Sequence, residues 1–268
     1  MRCIFCKCNS DNVKGREHII PESLGNKEYV LPLGAVCDTC NNYFAVKIES
    51  ELLDSPYFKS VRHRNFILSK KGHLVPNKVL IPHKNVGWVD MWIDDKGIIF
   101  RHEDIEAIKL ISDGTVNKLI IPIIEEPERN NKIMSRFLAK AALEGLAYRL
   151  CSCDGWNEEI VDKVELNPLR EYARYGRGEF WVYSQRRIYT EGDRFVDPIN
   201  HPEPYEILHE LDMLYTDNKF MYFVLVIMGV EFAINLSGPE IETYNEWLID
   251  NNGVSPIYRG SEYMIDRK

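Results

Sequence analysis

The sequence predicts an α+β protein, in which a small cysteine-clamped N-terminal module precedes a mixed α+β domain with an antiparallel sheet. Cys-x-x-Cys pairs occur at Cys3/Cys6 and at Cys37/Cys40, all within the first 42 of 268 residues. Further along the chain, short β-rich runs alternate with turn residues around one long apolar helix. The chain is long enough for such a module and a second domain. The predicted parts are the module at 1–60, a basic connecting segment at 61–77 and the α+β domain at 78–268.

The paired cysteines predict a structural zinc. Each pair can supply two thiolates to one side of a tetrahedral Zn²⁺, and the second pair completes the shell. Four sulfur ligands leave no open position for a substrate. Cys8 forms a Cys-x-Cys with Cys6 and could replace it, although a free thiol is the simpler expectation. Cys151 and Cys153 are expected to be buried thiols of the core and not a second metal site.

Three polar residues lie inside or next to this clamp. Glu17 and His18 lie between the cysteine pairs, and Asn41 follows the second pair directly. Neutral imidazole can take a proton from water near pH 7. Mg²⁺ prefers oxygen ligands and keeps several waters, so one carboxylate and one amide oxygen suffice when a substrate phosphate also binds. The combination suits metal-assisted phosphodiester cleavage. Taken alone, a Glu-His pair is usually solvated surface.

A longer pattern extends over residues 3–6, 16–25 and 36–42, which read CIFC, REHIIPESLG and VCDTCNN. It resembles the HNH, or ββα-metal, nuclease family, in the branch clamped by a four-cysteine zinc. The resemblance covers about the first 55 to 60 residues. It implies that Glu17 and Asn41 hold a catalytic Mg²⁺ or Mn²⁺ and that His18 is the general base. Asp is commoner at the position of Glu17, and a further His or Asn down the helix is missing. Glu49 is the available third ligand.

The basic residues are concentrated in the N-terminal part. Net charge is −8, but residues 1–75 hold 11 Lys and Arg against 8 Asp and Glu, whereas the rest hold 22 against 33. No acidic residue occurs from Ser55 to Val89. Such a surface attracts phosphate backbones without reading sequence. An ordinary solvated linker is the alternative. The predicted nucleic-acid contacts are Arg16, Lys59, Arg62, Arg64, Lys70 and Lys71.

Periodicity predicts the secondary structure. Phe44, Ile48 and Leu52 recur every four residues, which predicts a helix over 42–53 that begins beside Asn41. The other predicted helices cover 133–150 and 239–250. The predicted strands cover 78–82, 86–93, 97–100, 118–124, 179–189, 205–215 and 219–236, with a turn at 94–97.

A cluster of arginines follows the long helix and has two interpretations. These residues could form an anion site, or they could be a solvated face. They are Arg170, Arg174, Arg177, Arg186 and Arg187.

The N-terminus contains no positive-then-apolar leader, so we expect a reducing cytoplasm, where paired cysteines more often bind metal than form disulfides. The longest apolar run, 220–228, is too short for a membrane span. We therefore expect no membrane association.

The sequence thus predicts an HNH endonuclease that cleaves DNA, with RNA not excluded. The resemblance places such proteins among mobile elements or defence against them. The C-terminal domain would serve targeting, assembly or regulation, through a protein partner or a homo-oligomer. The alternatives are a non-catalytic zinc-stabilised nucleic-acid-binding or adaptor protein, and a toxin-like effector held inactive by its acidic domain or a partner.

Overall fold

Secondary structure follows the apolar patterns of the sequence closely in some segments and departs from them in others. The computed structural model describes residues 1–69, 72–94, 97–101, 104–197, 201–258 and 264–265. The helices are α1 (Asp38–Phe44), α2 (Ser50–Asp54), α3 (Pro56–Arg64), α4 (Ile105–Ser112), α5 (Lys132–Leu150), α6 (Trp156–Asp162), α7 (Asn167–Tyr175) and α8 (Glu242–Asp250). The strands are β1 (Asn77–Ile81), β2 (Gly87–Asp94), β3 (Gly97–Phe100), β4 (Tyr183–Arg187), β5 (Arg194–Asp197), β6 (His201–Tyr205), β7 (His209–Tyr215), β8 (Met221–Ile227), β9 (Val230–Asn235) and β10 (Met264–Ile265). The predicted α+β class is confirmed.

The chain forms two compact units. The first consists of Met1–Pro21, Asn26–Leu52 and Glu128–Lys268, and the second of Glu22–Gly25 and Leu53–Pro127. The cysteine-containing segment therefore belongs to the same unit as the C-terminal half of the chain. The predicted division into parts 1–60, 61–77 and 78–268 stays a prediction.

The first unit contains the predicted helix that follows the second cysteine pair. The chain is helical from α1 through a π-helical turn (Ala45–Glu49) into α2. Phe44, Ile48 and Leu52 are all buried, as their four-residue spacing predicted. The helix begins at Asp38 with Cys37 as its N-cap residue, and Cys40 lies in its first turn, so the second cysteine pair fixes that turn.

Helix α5 is the central element of the first unit. It packs against β7, β8 and β9 of an antiparallel sheet whose order is β4-β9-β8-β7, and against α6, α7 and the π-helical turn. Every residue from Phe137 to Ala147 is buried. The helix is buried all round because it has neighbours on more than one side. Asn131 caps it by accepting bonds from the main-chain N–H groups of Ile133 and Met134, which satisfies two donors at its first turn.

Gly145 allows α5 to approach the sheet closely. A Cβ atom at this position would overlap Cε2 of Phe223 and lie 2.8 Å from its Cδ2. Alanine is the better helix former by about 1 kcal/mol, but overpacking a core typically costs about 1–3 kcal/mol. We expect Gly145→Ala to lower the free energy of unfolding, measured by urea denaturation. Gly238→Ala, where a Cβ would meet nothing within 4 Å, is the matched control. Equal or greater stability of Gly145→Ala would contradict this packing.

The apolar run 219–236 was predicted as one strand and forms two. Strands β8 and β9 pair through a tight turn at Met228 and Gly229, both of which have positive φ angles. A continuously apolar run gives no periodic signal for a turn inside it. The predicted run 205–215 is likewise divided, because it covers the last residue of β6 and all of β7. A separate antiparallel sheet has the order β10-β5-β6.

The second unit contains the antiparallel sheet β1-β2-β3 and the helices α3 and α4. The three strands agree with the predicted runs. Residues 95 and 96 of the predicted turn lie outside the described residues. The prediction of a strand over 118–124 is wrong, because within that fully described segment only Ile120 forms an isolated bridge, to Leu80. The sequence did not predict α3 or α4.

Two of the clustered arginines, Arg170 and Arg186, bind groups that are buried or far away in sequence. Arg170 is buried and donates to the carbonyl oxygen of Ile4 at 2.8 Å, and Arg186 pairs with the buried Glu231 at 2.6 Å. Neither predicted role, anion site or solvated face, describes these two side chains.

Among the described residues, no helix is both long and apolar enough to cross a membrane.

Candidate active site

The four paired cysteines converge on one point. Their Sγ atoms all lie within 4.8 Å of one another, and Sγ of Cys6 is 3.6 Å from Sγ of Cys37. Sulfur atoms bound tetrahedrally to Zn²⁺ at about 2.3 Å would lie about 3.8 Å apart. Cys3 and Cys40 are buried. Soft thiolates in this arrangement fit a structural zinc, as predicted.

The cysteines of this cluster differ in pKa. A hydrogen bond from the Cys40 thiol lowers the pKa of Cys3 to about 5, whereas burial raises the pKa of Cys37 to about 11. Zinc requires thiolates, so its binding would displace protons from the cluster.

The remaining cysteines, Cys8, Cys151 and Cys153, do not belong to the four-cysteine cluster. Cys8 is exposed, as expected for a free thiol, but the prediction that Cys151 and Cys153 are buried is wrong, because Cys151 is half-buried and Cys153 exposed at the end of α5.

The Glu17-His18 dipeptide lies on a short antiparallel ladder. The N–H of Leu31 donates to the carbonyl of Glu17 at 2.9 Å, and the N–H of Ile19 donates to the carbonyl of Tyr29 at 3.1 Å. His18 forms a bridge with Val30 between them. These bonds fix the main chain on both sides of the imidazole. The side chain of His18 is half-buried.

Asn26 closes the loop within this ladder. Its Nδ2 donates to the carbonyl of Ile20 at 2.8 Å, and its Oδ1 accepts from the N–H groups of Glu28 and Tyr29 at 3.0 Å. Asn26 is 2% exposed, so these bonds form where water does not compete. Sequence reasoning missed this residue.

Asn41 joins the first turn of α1 to the segment before Glu17. Its Nδ2 donates to the carbonyl oxygen of Arg16 at 3.4 Å. One turn earlier, Asp38 accepts from the main-chain N–H groups of Lys14 and Gly15 at 3.2 and 3.3 Å. The two side chains therefore tether residues 14–16 to the helix that the second cysteine pair begins.

Glu17 has a partner that the sequence did not predict, Lys140 of α5. The Nζ atom of Lys140 lies 2.7 Å from Oε1 of Glu17, 2.8 Å from Oε1 of Glu49 and 3.0 Å from Oε2 of Glu144. It also donates to the carbonyl oxygen of His18 at 3.1 Å. Lys140 and Glu144 are wholly buried and Glu17 is 5% exposed. The available sequence signal was an i, i+4 Lys-Glu pair inside an apolar helix.

The charges in this cluster determine its protonation. Burial alone would lower the pKa of Lys140, but Glu144, Glu17 and Glu49 together raise it well above its usual value. Burial raises the pKa of Glu144 well above its usual range, against the opposing effect of Lys140. Lys140 is therefore a cation at neutral pH, and burial favours the protonated form of Glu144.

Two of the three predicted ligands of a divalent ion are engaged by another cation in this arrangement. Glu17 and Glu49 do converge, but on the ammonium of Lys140. Asn41 donates through Nδ2 to the carbonyl oxygen of Arg16, and this bond does not involve Oδ1, the atom that would bind a metal ion. A metal ion at Glu17 would require the ion pair with Lys140 to break, so its role as a ligand stays a prediction.

The residues predicted to contact nucleic acid differ in accessibility. Arg16 is exposed, and Lys59 is partly exposed and pairs with Asp54 at 3.1 Å. Arg62 is only 5% exposed, so its guanidinium does not present a surface charge. Arg64 donates to the hydroxyl of Ser60. Lys70 and Lys71 lie outside the described residues.

Comparison with known families agrees with the N-terminal geometry. Residues 3–56 match the family model described as HNH endonuclease, and the four-cysteine cluster lies within this range. The resemblance seen in the sequence is confirmed for this segment. No curated protein and no solved structure shows significant similarity to the chain.

Proposed function

We propose that the HNH endonuclease domain at residues 3–56 hydrolyses phosphodiester bonds in DNA. The observation that carries this proposal is the position of His18. Its half-buried imidazole lies on a ladder fixed by main-chain bonds, in a segment held by the cysteine cluster and by Asn41. A base that is fixed in place is what general base catalysis requires.

In the proposed reaction, the imidazole of His18 takes a proton from water. The water oxygen bonds to phosphorus, the bond to the leaving oxygen breaks, and solvent protonates that oxygen. Asn41 and the zinc bound by Cys3, Cys6, Cys37 and Cys40 would keep the ladder and α1 in register. A zinc held by these four sulfur atoms would have no open position, so its contribution would be structural.

The family implies a catalytic divalent ion, Mg²⁺ or Mn²⁺, which would stabilise charge on the phosphate. The predicted ligands were Glu17 and Asn41, with Glu49 as a third. Because Lys140 engages both carboxylates, no step above is assigned to the ion.

A second candidate has a specific observation in its favour. A zinc-stabilised nucleic-acid-binding or adaptor protein that does not cleave would need no metal ligands, and Glu17 and Glu49 are engaged by Lys140. The resemblance further supports a role in mobile elements or in defence. A cytoplasmic location, and a C-terminal part that binds a protein partner or a second copy, remain proposals.

Purified full-length protein incubated with supercoiled plasmid tests the proposal. We expect nicked or linear product with Mg²⁺ or Mn²⁺ and none with EDTA. Because EDTA can also remove the structural zinc, the zinc content of each sample is measured to distinguish that loss from loss of the catalytic ion. Parallel reactions with single-stranded DNA and with RNA identify the substrate. Binding without cleavage under every metal condition would favour the non-catalytic candidate and contradict the nuclease.

A further inference from the structure

Lys140 lies 84 residues beyond the end of the matched domain, yet its side chain contacts the predicted catalytic dipeptide. Its ammonium faces four oxygen atoms, which belong to Glu17, Glu49, Glu144 and the main chain of His18. An ammonium has three donors and no acceptor, so these oxygens can use all of its hydrogen-bonding capacity.

Position and burial make this contact a permanent feature of the folded unit. Lys140 is wholly buried in the middle of α5, whose flanking residues are also buried. Moving the ammonium away from Glu17 would either move the helix out of the core or leave a buried cation without partners. Removing one partner of a buried ion pair is strongly destabilising, because it leaves the other charge buried without compensation.

A divalent ion bound by Glu17 and Glu49 would have to take the oxygen atoms that the ammonium of Lys140 contacts. Mg²⁺ binds oxygen ligands at about 2.0–2.1 Å. An ion at that distance from Oε1 of both Glu17 and Glu49 would compete with an ammonium that lies 2.7 and 2.8 Å from the same atoms. The two cations are therefore alternatives at these carboxylates.

We propose that Lys140 is a positioning residue of the candidate active site: its ammonium, in place of a divalent ion, is the cation that Glu17 and Glu49 bind, and it fixes the main chain at His18. The positioning role rests on the proposed function. The identity of the cation does not, because it can be measured without cleavage.

Manganese binding to the full-length protein tests the identity of the cation. Glu17→Gln keeps an oxygen that can accept from Lys140, so the variant should fold. We expect it to melt at a lower temperature than the wild type and to leave Mn²⁺ binding, measured by calorimetry, within about twofold. A tenfold or greater loss of Mn²⁺ affinity with unchanged melting would make Glu17 a metal ligand and overturn the proposal.

Replacement of Lys140 tests its positioning role. We expect Lys140→Met to keep its zinc and to lower kcat about 10- to 100-fold with KM within twofold, because a small displacement of a catalytic group is costly while the substrate surface is unchanged. Lys140→Arg should recover part of kcat. Arg149→Met removes an exposed cation from the same helix and should behave as wild type. Wild-type kcat in folded Lys140→Met would refute positioning.

Two outcomes remain separable. If the wild type cleaves no substrate, the proposed function fails, and the Mn²⁺ and melting measurements on Glu17→Gln still decide which cation Glu17 binds. If Lys140→Met does not fold, Lys140→Arg carries the test, because the guanidinium keeps the charge but not the geometry. Wild-type kcat in Lys140→Arg would then contradict a positioning role.

Discussion

Replacing Cys40 by serine is expected to abolish zinc binding and to unfold the N-terminal segment. Structural zinc sites of this kind contribute apparent binding free energies of about 10–16 kcal/mol, which exceeds the total stability of most domains. Cys40 is buried and lies in the first turn of α1, so no water can easily replace the lost sulfur. Metal analysis should find zinc in the wild type and none in the variant, together with loss of soluble protein.

Cys8→Ser is the matched control for this experiment. Cys8 is an exposed thiol close in sequence to the cluster but is not one of its four members. The control should keep its zinc and its solubility. Loss of zinc from Cys8→Ser, or a folded zinc-free Cys40→Ser protein, would show that the ligand set is wrong.

His18→Ala should abolish cleavage while zinc content and affinity for DNA stay close to wild type. A general base acts on the reaction and contributes little to the fold, and its loss typically costs about 10²- to 10⁴-fold in rate. The main-chain bonds at residues 17–19 do not depend on the imidazole, so the ladder should persist. Initial rates on supercoiled plasmid measure the effect.

His83→Ala is the corresponding control, because His83 is also half-buried but lies in the second unit, outside the matched domain. It should cleave at the wild-type rate. If His18→Ala also kept wild-type rates, the assignment of the general base would be wrong even if the zinc site were right.

The parts of the site that sequence could predict are local in the chain. The two cysteine pairs and the body of the helix after them follow from spacing alone, because each depends on residues a few positions apart. The start of that helix was predicted too late, at residue 42, whereas α1 begins at Asp38. The apolar face of that helix could also be predicted, because Phe44, Ile48 and Leu52 recur every four residues. Asn41 was recognised as part of the site, but its bond to the carbonyl of Arg16 depends on a main-chain atom that no pattern of side chains reveals.

The unpredicted parts depend on distant partners or on burial. Lys140 reaches the carbonyl of His18 across 122 residues, and nothing in either segment specifies that pairing. Arg62 illustrates the second difficulty. A count of charges places it on a basic surface, whereas the side chain is buried in the folded chain.

The links between the N-terminal segment and the later helices bear on how the protein is made. Ile4 binds Arg170 across 166 residues, and Arg2 exchanges two hydrogen bonds with Asn157. A ribosome releases the cysteine pairs long before these partners exist, and contacts so far apart in sequence form slowly. We expect the nascent N-terminal segment to stay incompletely packed until most of the chain has emerged. The proposed cleavage activity would then arise only after residues 157 and 170 have been synthesised.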